Sequence, residues 1–337
     1  MVTVITATAP VRVADIGGWT DTWFAGSGRV CNVAVAPGAR VELRLGPAAG
    51  PVTIEVGSTG DRYSFAAGDR PGRHPLLEAA VAALPPRTEA AISVGASVPP
   101  GSGLGTSAAV VVALLTALAA GSGIRLSPDE LAAMAHGVET GLGWQSGVQD
   151  QWAAAWGGIN DLTVDYPNVA RRALAIDREV AAELGRRLIT VYLGRPHSSS
   201  TIHDEVITRL ATSDPGPALR RLRDAAADGI GALAFGDLAR YGEALIEHHE
   251  AVRSLHPGLI STSTEAVIAL ATGCGAQGWK ANGAGGDGGS LTLLGPAYPL
   301  ALDTLRRALG TMSGVVILDL VPTMHGATAS VEESGVR

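Results

Sequence analysis

Residues 99–109 read PPGSGLGTSAA, and a run of alanine, valine and leucine follows at once. Upstream, AAISVGASV has the alternation of a strand; downstream, from Ser107 to about Ala120, the pattern is helical and apolar nearly all round, as in a buried helix. A glycine-rich turn between a strand and a helix start points backbone N–H groups outward with no Cβ in the way. The helix dipole adds about half a positive charge at that end. Such a turn is an anion site, and phosphate is its natural guest. Two common phosphate loops do not fit. A Walker A loop needs a lysine after its last glycine, and none is here. Gly-x-Gly-x-x-Gly fails because residue 106 is threonine. That spacing does occur at Gly283, Gly285 and Gly288, but a strand pattern follows where a dinucleotide fold needs a helix.

The 337 residues suit about two domains, and 46% hydrophobic content is ample for buried cores. No run of 18 apolar residues occurs, so no membrane-spanning helix is expected. MVTVITATAPVRV lacks a basic segment followed by an apolar one, which argues against a signal peptide. Cys31 and Cys274 are too few for a disulfide framework and suit reduced thiols in a cytoplasmic setting. A formal charge of −7 argues against nucleic acid or an anionic membrane as partner. Lys280 is the single lysine among 25 Lys and Arg residues.

Along the chain, the first ~45 residues alternate as strands do. PVTIEVGS and RYSFAAG read as a hairpin, and PLLEAAVAAL as a short helix. SPDELAAMAHGVETGLG opens with Ser127, Pro128 and Glu130 in a capping box. SGVQDQWAAAW reads as a helix and GGINDLTVDY as a strand. A second region from about residue 171 is helix-rich, with strands at RRLITVYLG, after the glycine loop KANGAGGDGGS, and at GVVILDLVP. Residues 325–337 lack periodicity and read as a frayed end. The whole is α+β, divided as residues 1–170 and 171–337.

PPGSGLGTSAA resembles the second motif of the GHMP kinase superfamily. Two further motifs support the resemblance: APVRVADIGGWTDT, matching at Ala9, Pro10, Arg12, Gly17, Thr20 and Asp21, and KANGAGGDGGS near the other end. The resemblance implies a two-domain fold, an N-terminal domain like ribosomal protein S5 domain 2 and a ferredoxin-like C-terminal domain, with ATP in the cleft between them. Pro100, Gly101, Ser102, Gly103, Leu104, Gly105, Thr106, Ser107 and Ala108 would then hold the triphosphate. Ser107 and Glu139 would hold Mg²⁺. Asp150, eleven residues after Glu139, would be the general base, and Arg12 would stabilise the transferring charge. Lys280 would anchor the third loop or touch phosphate. Asp161 and Asp165 read as strand-edge or turn residues.

GGWTDT is similar to the sugar-kinase form of the first motif, nearest to the fucokinase, arabinokinase and heptose-phosphate kinase patterns. On that resemblance Asp21 would accept sugar hydroxyls, with Gly18, Trp19, Thr20 and Gly285 beside it; Trp19 could equally be core. Arg195 and His197 would bind the substrate and, if they meet a phosphate, make it a sugar phosphate. The implied activity is transfer of the ATP γ-phosphate to a sugar hydroxyl, the anomeric one first, by a monomer or homodimer. An amino-alcohol or isoprenoid-precursor kinase and a non-catalytic sensor are the alternatives. Asp287 interrupts the third glycine run, where an acid would repel phosphate unless it faces solvent or metal.

Overall fold

A computed structural model describes residues 2–195, 200–212 and 216–334. The chain runs β1 (Val2–Ile16), β2 (Ser27–Leu45), β3 (Val52–Val56), β4 (Asp61–Phe65), α1 (Pro75–Ala83), β5 (Ala90–Ala96), α2 (Thr106–Ser122), α3 (Pro128–Gly141) and α4 (Gln149–Trp156). It continues through β6 (Ile159–Asp165), β7 (Asn168–Ala173), α5 (Arg178–Arg187), β8 (Leu188–Tyr192), α6 (Ser200–Thr212), α7 (Gly216–Ala234), α8 (Leu238–Leu255) and α9 (Thr262–Gly273). It closes with β9 (Gly278–Ala281), β10 (Ser290–Leu294), α10 (Pro299–Gly310), β11 (Val316–Leu318), β12 (Val321–Pro322) and β13 (Thr328–Ser334).

Two sheets form among the described residues. The larger follows the order β13-β1-β2-β5-β3-β4, with β6, β7 and β12 attached through β2. β2 is long enough to serve two neighbours: residues 27–33 pair with β6 and residues 39–45 with β5. The smaller sheet is β11-β8-β10-β9 and buries Ile189, Val191, Leu291 and Leu293 against α9 and α10. α2 carries Val111, Leu114, Leu115 and Leu118 into the main core, as its all-round apolar pattern requires.

Three expectations change. The segment read as a frayed end pairs with β1, from Val2 opposite Ser334 to Thr8 opposite Thr328. Backbone bonding along a sheet edge needs no side-chain periodicity, so polarity hid it. GVVILDLVP is not one strand: β11 joins β8, whereas β12 joins β2 in the other sheet. A division at residue 170 is also crossed in space. Ala225, Ala226, Ile230 and Leu245 of α7 and α8 share the core of the first sheet, and β12 and β13 return to it.

Candidate active site

β1 delivers two charged side chains to one place through a bulge. Val13 pairs with Val33 but Ile16 pairs with Cys31, so β1 carries one extra residue, and Ala14 has φ 53. Residues three apart on a regular strand face opposite ways. The extra residue re-aims the chain, and Arg12 and Asp15 lie together with Nη2 3.8 Å from Oδ2. Both are buried. Asp15 also accepts from Lys280 Nζ at 2.7 Å and from the Gly283 N–H at 3.2 Å. Lys280 is fully buried and its ammonium further bonds the Ala281 carbonyl, so the single lysine ties the third glycine loop to the first motif. Burial pulls its pKa down and Asp15 opposes that.

The two glycine loops touch. A Cβ added at Gly103, where φ is 74, would sit 2.7 Å from the Asn282 carbonyl oxygen. Only glycine permits that approach. Ser290 Oγ donates to the Ser102 carbonyl at 2.7 Å and accepts from Asn282 Nδ2 at 3.0 Å. Gly105 caps α2 in the left-handed region with no side-chain cap. The first amides of this 17-residue helix therefore open into the cleft beside the loop. That arrangement fits a nucleotide triphosphate, whose charge the helix end attracts.

The cleft holds about 390 Å³. Arg12, Gly18, Trp19, Asp21, residues 101–108, Glu139 and Asp150 all line it. Arg12 Nε donates to Asp150 Oδ1 at 2.8 Å, and Nη1 to the Gly103 carbonyl. Burial tends to lower the Arg12 pKa, but Asp15 and Asp150 outweigh it and the net shift is upward. Asp150 stands in the first turn of α4 with its side chain 28% exposed.

Asp21 is buried and its Oδ2 accepts from the Gln149 N–H at 3.1 Å. A Cβ at Gly147 would come 2.3 Å from that oxygen. Burial first, then the negative charges of Asp150 and Asp15, push the Asp21 carboxyl up to about 6. Glu139 lies in the last turn of α3, whose capping box between Ser127 and Glu130 is formed. Its Oε2 accepts from Ser146 Oγ and from Gln151 Nε2 at 2.8 Å. Burial, then Asp150, push it up to about 7. Both hydrogen bonds fall on Oε2, so Oε1 is the oxygen available to a cation. With Ser107 also on the cleft wall, the donor set fits Mg²⁺ if phosphate oxygens and water complete the shell.

Other candidates stand elsewhere. Thr20 is fully buried; its hydroxyl donates to the Gly17 carbonyl at 2.6 Å and accepts from the Arg29 N–H, holding the loop itself. Pro100 is exposed just outside the cleft lining. Gly285 faces Leu259, whose carbonyl a Cβ would meet at 2.5 Å. Arg195 pairs with Asp287 at 2.9 Å, both exposed and neither lining the cleft, so the acid in the third loop points to solvent. His197 lies outside the described residues. Trp19 lines the cleft at φ 76 and also packs in an apolar cluster with Val206, Leu222 and Leu259. Asp161 is buried between Arg29 and Arg172, at 3.1 and 2.7 Å, rather than on a strand edge. Sequence reading passes over Asp15, Gln149 and the rim aromatics Trp23, Phe24 and Trp144. The bulge that turns Asp15 inward leaves no residue-type signature.

Residues 75–158 match the GHMP kinases N terminal domain. The chain is 26% identical over 319 residues to a bifunctional fucokinase/GDP-fucose pyrophosphorylase of Arabidopsis thaliana, covering 84% of this chain and 29% of that protein. It is 28% identical over 194 residues to a D-glycero-alpha-D-manno-heptose 7-phosphate kinase of Campylobacter jejuni, covering 57% of each. The chain thus spans less than two thirds of either relative. Its fold superposes on a D-glycero-D-manno-heptose 1-phosphate kinase from Bacteriodes thetaiotaomicron with a TM-score of 0.78, 22% identity, and coverage of 98% of this chain and 100% of that one.

Proposed function

We propose that this chain is a GHMP kinase, on the match of residues 75–158 and the likeness of its fold, that it phosphorylates a hydroxyl of a small sugar, and that the hydroxyl is the anomeric one of a hexose, pentose or heptose. One observation carries the reading. A carboxylate clamped by arginine, Asp150 on Arg12 at 2.8 Å, shares a cleft with an uncapped helix end and with a second buried carboxylate, Asp21. The sugar kinases among the relatives support the substrate class.

Mg·ATP, when bound, supplies the phosphoryl group and neutralises its charge. The amides at the start of α2 would hold the phosphate chain, and Glu139 through Oε1 and Ser107 would hold its cation. Arg12 fixes Oδ1 of Asp150, so Oδ2 is the atom that accepts the proton of the attacking hydroxyl. Arg12, close to the glycine loop through Gly103, also faces the charge that moves in transfer. Asp21 accepts hydrogen bonds from the sugar; a buried acceptor left unpaired is costly, so it rejects an acceptor lacking that hydroxyl.

The test is ADP release with Mg·ATP across L-fucose, D-galactose, L-arabinose and D-glycero-D-manno-heptose 7-phosphate. Asp150→Asn, which keeps the Arg12 contact, should bind ATP normally and lose about 10²–10⁴-fold in kcat. NMR of the product assigns the position. Silence on every sugar with ATP still bound would move the reading to an amino-alcohol acceptor or a sensor, and unchanged turnover in Asp150→Asn would remove Asp150 from the chemistry.

A further inference from the structure

Gln149 precedes Asp150, is 6% exposed and lines the cleft. Its side chain ends a row of amides. Arg171 Nε donates to Asn160 Oδ1 at 2.6 Å, Asn160 Nδ2 donates to Asn32 Oδ1 at 2.9 Å, and Asn32 Nδ2 reaches Gln149 Oε1 at 3.5 Å. Asn32 and Asn160 are fully buried.

A carboxamide has one accepting end and one donating end, whereas a guanidinium only donates. An arginine at one end of the row therefore sets the direction of every amide in it. Asn160 must turn its oxygen to Arg171 and its NH₂ to Asn32, and Asn32 does the same toward Gln149. The last member, Gln149, has its oxygen committed inward and must present its NH₂ on the other side. That nitrogen lies against Gly18 of the cleft wall: a Cβ added there would be 3.1 Å from Nε2. None of the described residues accepts its hydrogens. Meanwhile the Gln149 backbone holds Asp21, so one residue joins a fixed donor to a fixed acceptor.

We propose that Gln149 Nε2 donates to one hydroxyl of the acceptor while Asp21 accepts from another, so that the pocket reads a donor–acceptor pair of hydroxyls on a polyol. Asn32, Asn160 and Arg171 are positioning residues that keep the amide facing the right way. The inference rests on the sugar-kinase reading and deepens it.

The experiment measures KM separately for ATP and for each of the four sugars above, in wild type, Gln149→Leu, Asn160→Asp and the double variant. Gln149→Leu should raise the sugar KM about 10-fold or more and leave the ATP KM within about 2-fold. In Asn160→Asp the new carboxylate still accepts from Arg171 but cannot donate. Asn32 then turns round, Gln149 presents its oxygen to the cleft, and the sugar KM rises comparably. Because both changes remove the same NH₂, the double variant should be no worse than Gln149→Leu alone. Additive losses, or an unchanged sugar KM in Gln149→Leu, would overturn this inference while leaving a sugar kinase standing. No turnover by the wild type on any sugar would overturn the kinase reading and this inference with it. Should the leucine variant fail to fold, Gln149→Glu keeps the bond from Asn32 and removes the donor, and the same criteria apply.

Discussion

Replacing Glu139 with glutamine should make the protein markedly more stable at pH 8 and only slightly so at pH 5. In the fold this carboxyl titrates at about 7 against an ordinary 4.5, chiefly because burial disfavours its charge. A carboxyl raised in this way contributes stability that is fully present below pH 4.5 and is lost as pH rises through 7. A tenfold change in proton affinity is worth about 1.4 kcal/mol, so ionised Glu139 costs the fold about 3 kcal/mol at pH 8 and about 1 kcal/mol at pH 5. Glutamine carries no charge, and its carbonyl oxygen can still accept from Ser146 and Gln151, the two donors now on Oε2. Urea unfolding at the two pH values, without Mg²⁺ or nucleotide, reads the difference. The variant's advantage should grow by about 2 kcal/mol from pH 5 to pH 8. The same variant should lose turnover, since a neutral amide is a poor ligand for a hard cation. An advantage that does not change with pH would mean the carboxylate is not desolvated, and the electrostatic picture of the cleft would be wrong.

Other perturbations test the surrounding parts. Asp21→Asn should raise the sugar KM without changing that for ATP. It should also remove a stability loss of about 3 kcal/mol that develops between pH 3.8 and about 6 as Asp21 ionises, visible in paired unfolding curves. Lys280→Met leaves Asp15 buried without its ammonium partner and should cost about 3–5 kcal/mol in denaturant unfolding; a near-neutral result would show that Arg12 and the Gly283 N–H hold the carboxylate without the lysine. Gly103→Ala drives a Cβ toward the Asn282 carbonyl in a left-handed backbone and should weaken ATP binding measured by calorimetry more than it lowers the melting temperature.

Much of the scaffold is legible in residue order because its signals are local. The capping box at Ser127 and Glu130 needs only four residues, and the hairpin of β3 and β4 only a short turn. The apolar pattern of α2 announces burial without saying against what. The glycine loop stands out by composition, Arg12, Asp21, Glu139 and Asp150 by their resemblance to the GHMP kinase motifs, and they line one cleft. Other residues mislead because their surroundings come from distant parts of the chain. Thr20 and Gly285 belong to the right motifs, yet one hydroxyl closes its own loop and the other backbone turns to Leu259. Asp287 reads as an acid opposed to phosphate until Arg195, far away in sequence, draws it to solvent.

Residue order by itself determined where most of the helices and strands fall, that a glycine-rich turn leads into a helix start, and which carboxylates and arginine are at hand. Those features depend on backbone freedom and hydrogen bonding within a few residues. Only the tertiary structure decided which of them act together. A one-residue bulge swings Asp15 to the side of Arg12, Lys280 crosses from the far end of the chain to meet it, and Arg171 orients Gln149 through two buried asparagines. Several of these contacts join positions more than a hundred residues apart, and the burial that shifts Asp21 and Glu139 exists only once the core has closed around them.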